Sequence, residues 1–195
     1  VFIISGNHDS PERISFAENI LEKQSVFIAG NVKDKVKQVT INDEYGEVII
    51  TLLPFIKPAL LSCKTCEEAV QRLLKTCKQD LEDSCKRNIL VTHYFVTNAG
   101  KSPELSDSET TVAVGGLDNV DASNFIGFDY VALGHIHKPQ RMESGEGKMP
   151  PVIYSGAPLA YSFSECGQEK SVTLINLTKK GELSIERLPL HPVHQ

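Results

Sequence analysis

Val1-Phe2-Ile3-Ile4-Ser5-Gly6-Asn7-His8-Asp9 is the stretch on which the reading of the whole chain turns. Its first four residues are β-branched or aromatic and predict a short buried strand. Asn7, His8 and Asp9 follow at the carboxyl end of that strand, the rim on which open α/β sheets bind their ligands. A strand this apolar needs neighbours on both sides. The stretch therefore predicts a chain that starts inside a fold, with a catalytic loop present and its upstream partners outside these 195 residues. An apolar strand with an open flank also predicts self-association.

Two more apolar runs end in histidine. Asn88-Ile89-Leu90-Val91-Thr92 leads into His93-Tyr94, and Tyr130-Val131-Ala132-Leu133 leads into Gly134-His135-Ile136-His137. If the three strands run side by side in one direction, their ends bring four imidazoles, an amide and a carboxylate to one rim. Alternation along an extended backbone places His135 and His137 on the same face. Neutral imidazole suits first-row transition metals, and amide or carboxylate oxygen suits harder ions such as manganese. A mixed nitrogen and oxygen set of this kind is what two-metal phosphoryl hydrolysis uses.

Elsewhere the pattern predicts a helix from Ser10-Pro11 to about Lys23, capped by Ser10 with Pro11 at a tolerant first position. A strand over 26–28 and a hairpin of 36–41 and 47–53 follow. A long amphipathic helix is expected from Cys66 to Lys86, then a polar loop from Asn98 to Thr110 that reads as a mobile surface loop, with DNA contact or gating of the site as the alternative, a strand over 111–114 and a short helix over 121–125. Strands at 138–142, 151–155, 171–177 and 183–188, with no helix between them, read as an antiparallel meander completing a second sheet. Lys138 and Arg141, beside the third histidine motif, are candidates to neutralise phosphate. The expected class is α/β (α+β): two sheets packed face to face, flanked by helices and incomplete at the N-terminus. One partial domain spans 1–190, and 191–195 leads out towards a linker; His191 and His194 in this tail read as solvated.

Composition sets the frame. The chain is 41% hydrophobic and 23% charged, as in globular proteins. No apolar run approaches the roughly 20 residues that span a bilayer, so no membrane partner is expected. A net charge of −5 counts against nucleic acid on bulk charge alone, although bound divalent cations would reverse that locally. Cys63-Lys64-Thr65-Cys66 has zinc-like spacing. Against this, Cys66, Val70, Leu73, Leu74, Cys77, Leu81 and Cys85 fall on one helical stripe, which predicts core packing. An odd cysteine count without a secretory leader points to a reducing cytoplasm.

Taken together, Gly6-Asn7-His8-Asp9, Thr92-His93-Tyr94 and Gly134-His135-Ile136-His137 resemble the last three signature motifs of the calcineurin-like metallophosphoesterases. The stretches Asn7-His8-Asp9-Ser10-Pro11-Glu12-Arg13, Gly115-Gly116-Leu117-Asp118 and Phe128-Asp129-Tyr130-Val131-Ala132-Leu133-Gly134-His135-Ile136-His137-Lys138-Pro139-Gln140 narrow the likeness to the bacterial SbcD-type nucleases within that family. The resemblance covers nearly the whole chain. It implies a two-sheet sandwich and two divalent metal ions, most commonly Mn²⁺. Asn7, His93 and His135 would ligate one ion and His137 the other. His8 would face the scissile phosphate, and Asp9 would orient His8. It also implies double-strand exonuclease and single-strand endonuclease action on DNA in repair, recombination and replication, with an SbcC-type ATPase as partner. The family's upstream Asp-x-His and Gly-Asp motifs do not occur here, so the first metal site is expected to be incomplete and the fragment inactive. The same rim would also serve a phosphatase, a cyclic-nucleotide phosphodiesterase or a non-catalytic scaffold, because fold does not choose substrate.

Overall fold

Along residues 46–53, Val48, Ile50 and Leu52 point to one side and Ile49, Thr51 and Leu53 to the other, and all six are buried. A strand covered on both faces belongs at the centre of a layered fold. The computed structural model describes residues 1–32, 35–77, 81, 85–107, 109, 117–142 and 149–191 and places this strand there. The strands are β1 Phe2–Ile4, β2 Phe27–Ala29, β3 Lys37–Asp43, β4 Gly46–Leu53, β5 Arg87–His93, β6 Phe95–Thr97, β7 Asn119–Asp121, β8 Tyr130–Gly134, β9 Gln140–Met142, β10 Val152–Tyr154, β11 Ser171–Leu177 and β12 Leu183–Pro189. The α-helical segments are α1 Pro11–Ile14, α2 Glu18–Leu21 and α3 Cys66–Leu74.

The main sheet has six strands in the order β3-β4-β5-β8-β10-β9. β4, β5, β8 and β10 run parallel, while β3 and β9 are antiparallel edges. One face is covered by α3 and the turn that follows it: Cys66, Val70, Leu73, Leu74 and Cys77 pack with Leu53, Leu90, Val131 and Tyr154. The other face is covered by the parallel pair β1–β2, whose Phe2, Ile4, Phe27 and Ala29 pack on Val48, Ile50, Leu52, Ile89 and Val91. This second contact brings the loop after β1 to the same edge as the ends of β4 and β5. Phe55 N–H, just beyond β4, donates to Ser5 O at 3.0 Å.

Several sequence expectations need correction. The helix predicted over Ser10 to Lys23 is broken into α1, α2 and intervening 3₁₀ turns, and Ser10 makes no side-chain cap. None of these segments fully buries a residue, so packing gives a continuous helix little support. α3 runs from Cys66 to Leu74 and tightens into a 3₁₀ turn over 75–77; of the expected continuation to Lys86, residues 78–80 and 82–84 lie outside the described residues, and Leu81 packs against the core. In the 3₁₀ turn Thr76 Oγ1 donates to Leu73 O at 2.7 Å, a side-chain bond of the kind that competes with helix propagation. Cys85 is exposed and does not continue the apolar stripe, whereas Cys66 and Cys77 are in the core as expected. All described cysteines are free thiols.

The four late strands form, but not as a meander. β10 inserts between β8 and β9 and runs parallel to β8. β11 and β12 form a separate antiparallel hairpin. Arg87, fully buried at the start of β5, ties that hairpin to the sheet. Its guanidinium pairs with Asp43 and donates to the carbonyls of Gly46, Leu177 and Thr178. β6 and β7 add a short parallel pair that the sequence pattern did not announce. The expected strand over 111–114 and the Gly115-Gly116 motif lie outside the described residues.

Candidate functional site

The site is built where β1, β5 and β8 end. After β1 the chain turns tightly: Asp9 N–H donates to Gly6 O at 3.3 Å, and Asp9 Oδ2 accepts from Gly6 N–H at 2.7 Å. The Asp9 carboxylate therefore fastens the loop that carries Asn7 and His8. His8 is exposed on this loop.

His93 closes β5 and points towards the same loop. Its Nε2 lies 3.0 Å from Asn7 Oδ1. The ring sits in a slot walled by two glycines. A Cβ on Gly6 would lie 2.7 Å from His93 Cε1, and a Cβ on Gly134 would lie 2.7 Å from His93 Nδ1. Both positions need the absence of a side chain for this approach.

His135 follows directly after β8 with φ 100°, a conformation rare for a residue with a side chain and a mark of functional sites. Its ring meets His93 edge-on at 5.3 Å between centroids and Phe95 at 6.4 Å. Its Nε2 is buried without a hydrogen-bond partner. Burial, reinforced by the charge of His135, pushes the His93 pKa down to about 4. Burial also lowers that of His135, and the charges of His8 and His137 add to the fall in both. Both rings are thus held neutral at pH 7, the form in which imidazole ligates a metal.

His137 stands two residues on. Its Nδ1 is 2.8 Å from Glu165 Oε1, and its backbone N–H donates to Glu109 Oε1. Glu165 is fully buried and also accepts from Lys170 Nζ at 2.6 Å. Burial pushes its carboxyl up, but the hydrogen bonds from Lys170 and His137 more than reverse this and hold it at about 2. Glu109, Glu165 and Lys170 escaped the sequence reading. Glu109 lies in the polar loop after β6. Glu165 follows an exposed turn, and nothing local marks an acid there for burial.

The sequence of the chain is related to that of a known protein. The sequence is 31% identical over 202 aligned positions to the SbcD component of the SbcCD nuclease of Staphylococcus saprophyticus, with all of this chain aligned. The chain belongs to the SbcD family. It spans about half the length of that relative. No protein-family model matches the sequence.

Set beside the family expectation, the structure brings Asn7, His93 and His135 together, with His8 on the adjoining loop. Asn7 Oδ1, His93 Nε2 and the unpartnered His135 Nε2 are donors of the type a single divalent ion takes. Among the described residues, no three His, Cys, Asp or Glu side chains are arranged to hold a metal by themselves. The donors present therefore fit part of one ion's shell, and His137, bound through Nδ1, is the remaining candidate for a second. Lys138 is paired with Glu104. The loop after β6 is fastened to β9, because Gln140 bonds Glu104 N–H and Glu104 O, both at 2.9 Å. No helix among the described residues is long and apolar enough to cross a membrane.

Proposed function

We propose that the chain is the nuclease-domain portion of a metal-dependent DNA nuclease, a cytoplasmic hydrolase of DNA phosphodiester bonds acting in repair and recombination. The observation that carries the reading is the meeting of His93 with Asn7 beside the orphaned Nε2 of His135, at three neighbouring strand ends, in a chain of the SbcD family. The β1–β2 pair on the main sheet is read as part of the second sheet of a metallophosphoesterase sandwich. Asn7, His93 and His135 would hold one divalent ion, Mn²⁺ by the resemblance, and His137 would contribute to a second. Bound there, the ions would supply charge stabilisation at the phosphoryl group and a nucleophile at neutral pH. His8, exposed on the turn fastened by Asp9, would face the scissile phosphate and protonate the leaving oxygen. DNA and an SbcC-type ATPase are the proposed partners of the whole protein.

By itself the 195-residue chain, which contains no Asp-x-His, is expected not to cleave. The test compares this chain with its longer parent on double-stranded and single-stranded oligonucleotides and on para-nitrophenyl phosphate, with Mn²⁺ and with chelator. Parent cleavage of DNA that is abolished by His135→Ala supports the reading. Hydrolysis of the small phosphate ester alone would make the protein a phosphatase. Cleavage of DNA by the short chain, abolished by His8→Ala, would overturn the inactivity of the fragment.

A further inference from the structure

His137 is held more completely than the other histidines of the site, and the group that holds its ring is a carboxylate without access to water. Glu165 offers only acceptors when ionised. Its Oε1 faces His137 Nδ1 at 2.8 Å. Its Oε2 takes Lys170 Nζ at 2.6 Å and the Tyr161 N–H at 3.3 Å. Lys170, itself buried, reaches back to His137 O at 3.3 Å and to Gln168 Oε1 at 3.2 Å. Ring, carboxylate, ammonium and carbonyl thus close a loop on one residue. The Ala157 N–H donates to the same carbonyl at 3.0 Å.

Burying an ion pair is a poor way to gain stability, because desolvation of both charges consumes most of the attraction. The pair does something else well. An ionised acceptor at Nδ1 requires the proton to sit on Nδ1, and the neutral ring then carries its lone pair on Nε2. Free imidazole side chains prefer the opposite tautomer, with the proton on Nε2.

We propose that Glu165 is a positioning residue for His137: it fixes the ring as the Nδ1–H tautomer and so presents a bare Nε2 to the site, with Lys170 holding Glu165 in place. Carboxylates behind ligating histidines orient the ring and raise its basicity. The value of the Nε2 lone pair as a metal ligand rests on the proposed function. The tautomer itself does not, and the experiment separates the two.

The test is nitrogen-15 NMR of the ring nitrogens of the metal-free chain at pH 7.5, followed by titration with Zn²⁺ as a diamagnetic probe. In the wild type, His137 is expected with its proton on Nδ1. Glu165→Leu combined with Lys170→Met removes both buried charges together, so no lone ion is stranded. That variant should shift His137 to the Nε2–H form and weaken Zn²⁺ binding at the ring by about 10- to 100-fold. Glu165→Gln combined with Lys170→Met keeps an acceptor oxygen and should retain the wild-type tautomer. An Nε2–H ring in the wild type overturns the proposal whether or not the variants fold. So does a folded leucine variant with the tautomer unchanged. A confirmed tautomer without Zn²⁺ binding would leave this inference standing and count against the metal reading instead.

Discussion

His93 Nε2 and Asn7 Oδ1 lie 3.0 Å apart although 86 residues separate them in sequence. The contact is made possible by layering. β1 packs across the face of β4 and β5, so the loop after β1 lands on the histidine that ends β5. The two atoms are of the kind a metal shares, and each is already aimed at the other.

The glycine slot around His93 gives a first prediction. In Gly134→Ala the new Cβ would lie 2.7 Å from His93 Nδ1, closer than such contacts occur. Gly134 does not have a positive φ, so the substitution tests the close approach and not the backbone. The ring must shift, and overpacking of this kind costs about 1–3 kcal/mol. Urea denaturation of the chain should show that loss, and the parent protein should lose metal-dependent cleavage. An unchanged midpoint with full cleavage would show that the ring has room to spare.

Stability should fall on the acid side. The folded chain protonates His93 only near pH 4, because burial and then the charge of His135 oppose it. The unfolded chain protonates a histidine near 6.5. Between these values the unfolded state binds the extra proton. Stability is therefore full above about 6.5, declines as pH falls, and has lost this contribution by about 4. Each such proton gives a slope of at most about 1.4 kcal/mol per pH unit. His135 shifts in the same direction. Urea midpoints of chelator-treated chain at pH 7.5 and 5.0 should differ, and His93→Gln should shrink the difference. Equal midpoints in the wild type would contradict the neutral, buried state.

Tyr154 supports the site from below. Its buried hydroxyl accepts from Val96 N–H at 2.7 Å and donates to Tyr94 O at 3.0 Å, next to His93. Tyr154→Phe keeps the packing and strands both backbone groups, which should cost about 1–3 kcal/mol. The measurement is the shift in denaturation midpoint. A neutral result would mean that water reaches Val96 or Tyr94.

What was legible in the sequence was local. Each of β1, β5 and β8 is an apolar run, and the polar residues at its end are adjacent in sequence, so the three histidine motifs could be read and set on one rim. Placement that depends on distant pairing could not be read. Nothing within 152–154 says that β10 slips between β8 and β9, because that depends on hydrogen bonds to residues 131–133 and 140–142. The apolar period runs on past Cys77, but it does not show that the helix tightens at 75–77, where Thr76 Oγ1 donates to Leu73 O. Glu165 is not marked by its local sequence because its carboxylate is matched chiefly by His137, 28 residues earlier, and by Lys170 in the following loop.

The remaining prediction concerns association. β1 pairs with β2 along one edge only among the described residues. Phe2 and Ile4 turn inward, and Ile3 is 38% exposed between them. Val1 on the same strand run, and Phe16 and Ile20 in the helical segment that follows, are exposed apolar side chains as well. An unpaired edge with an apolar outer face is a template for strand addition by another copy. The chain should therefore show an average mass that rises with concentration in sedimentation equilibrium. Ile3→Lys places a charge on the outer face without touching the inner packing, and should restore the monomer. If the wild type remains monomeric at millimolar concentration, the edge is protected in a way this geometry does not provide. If Ile3→Lys associates as strongly as the wild type, the contact lies elsewhere, with the exposed Phe163 beyond β10 as the next surface to alter.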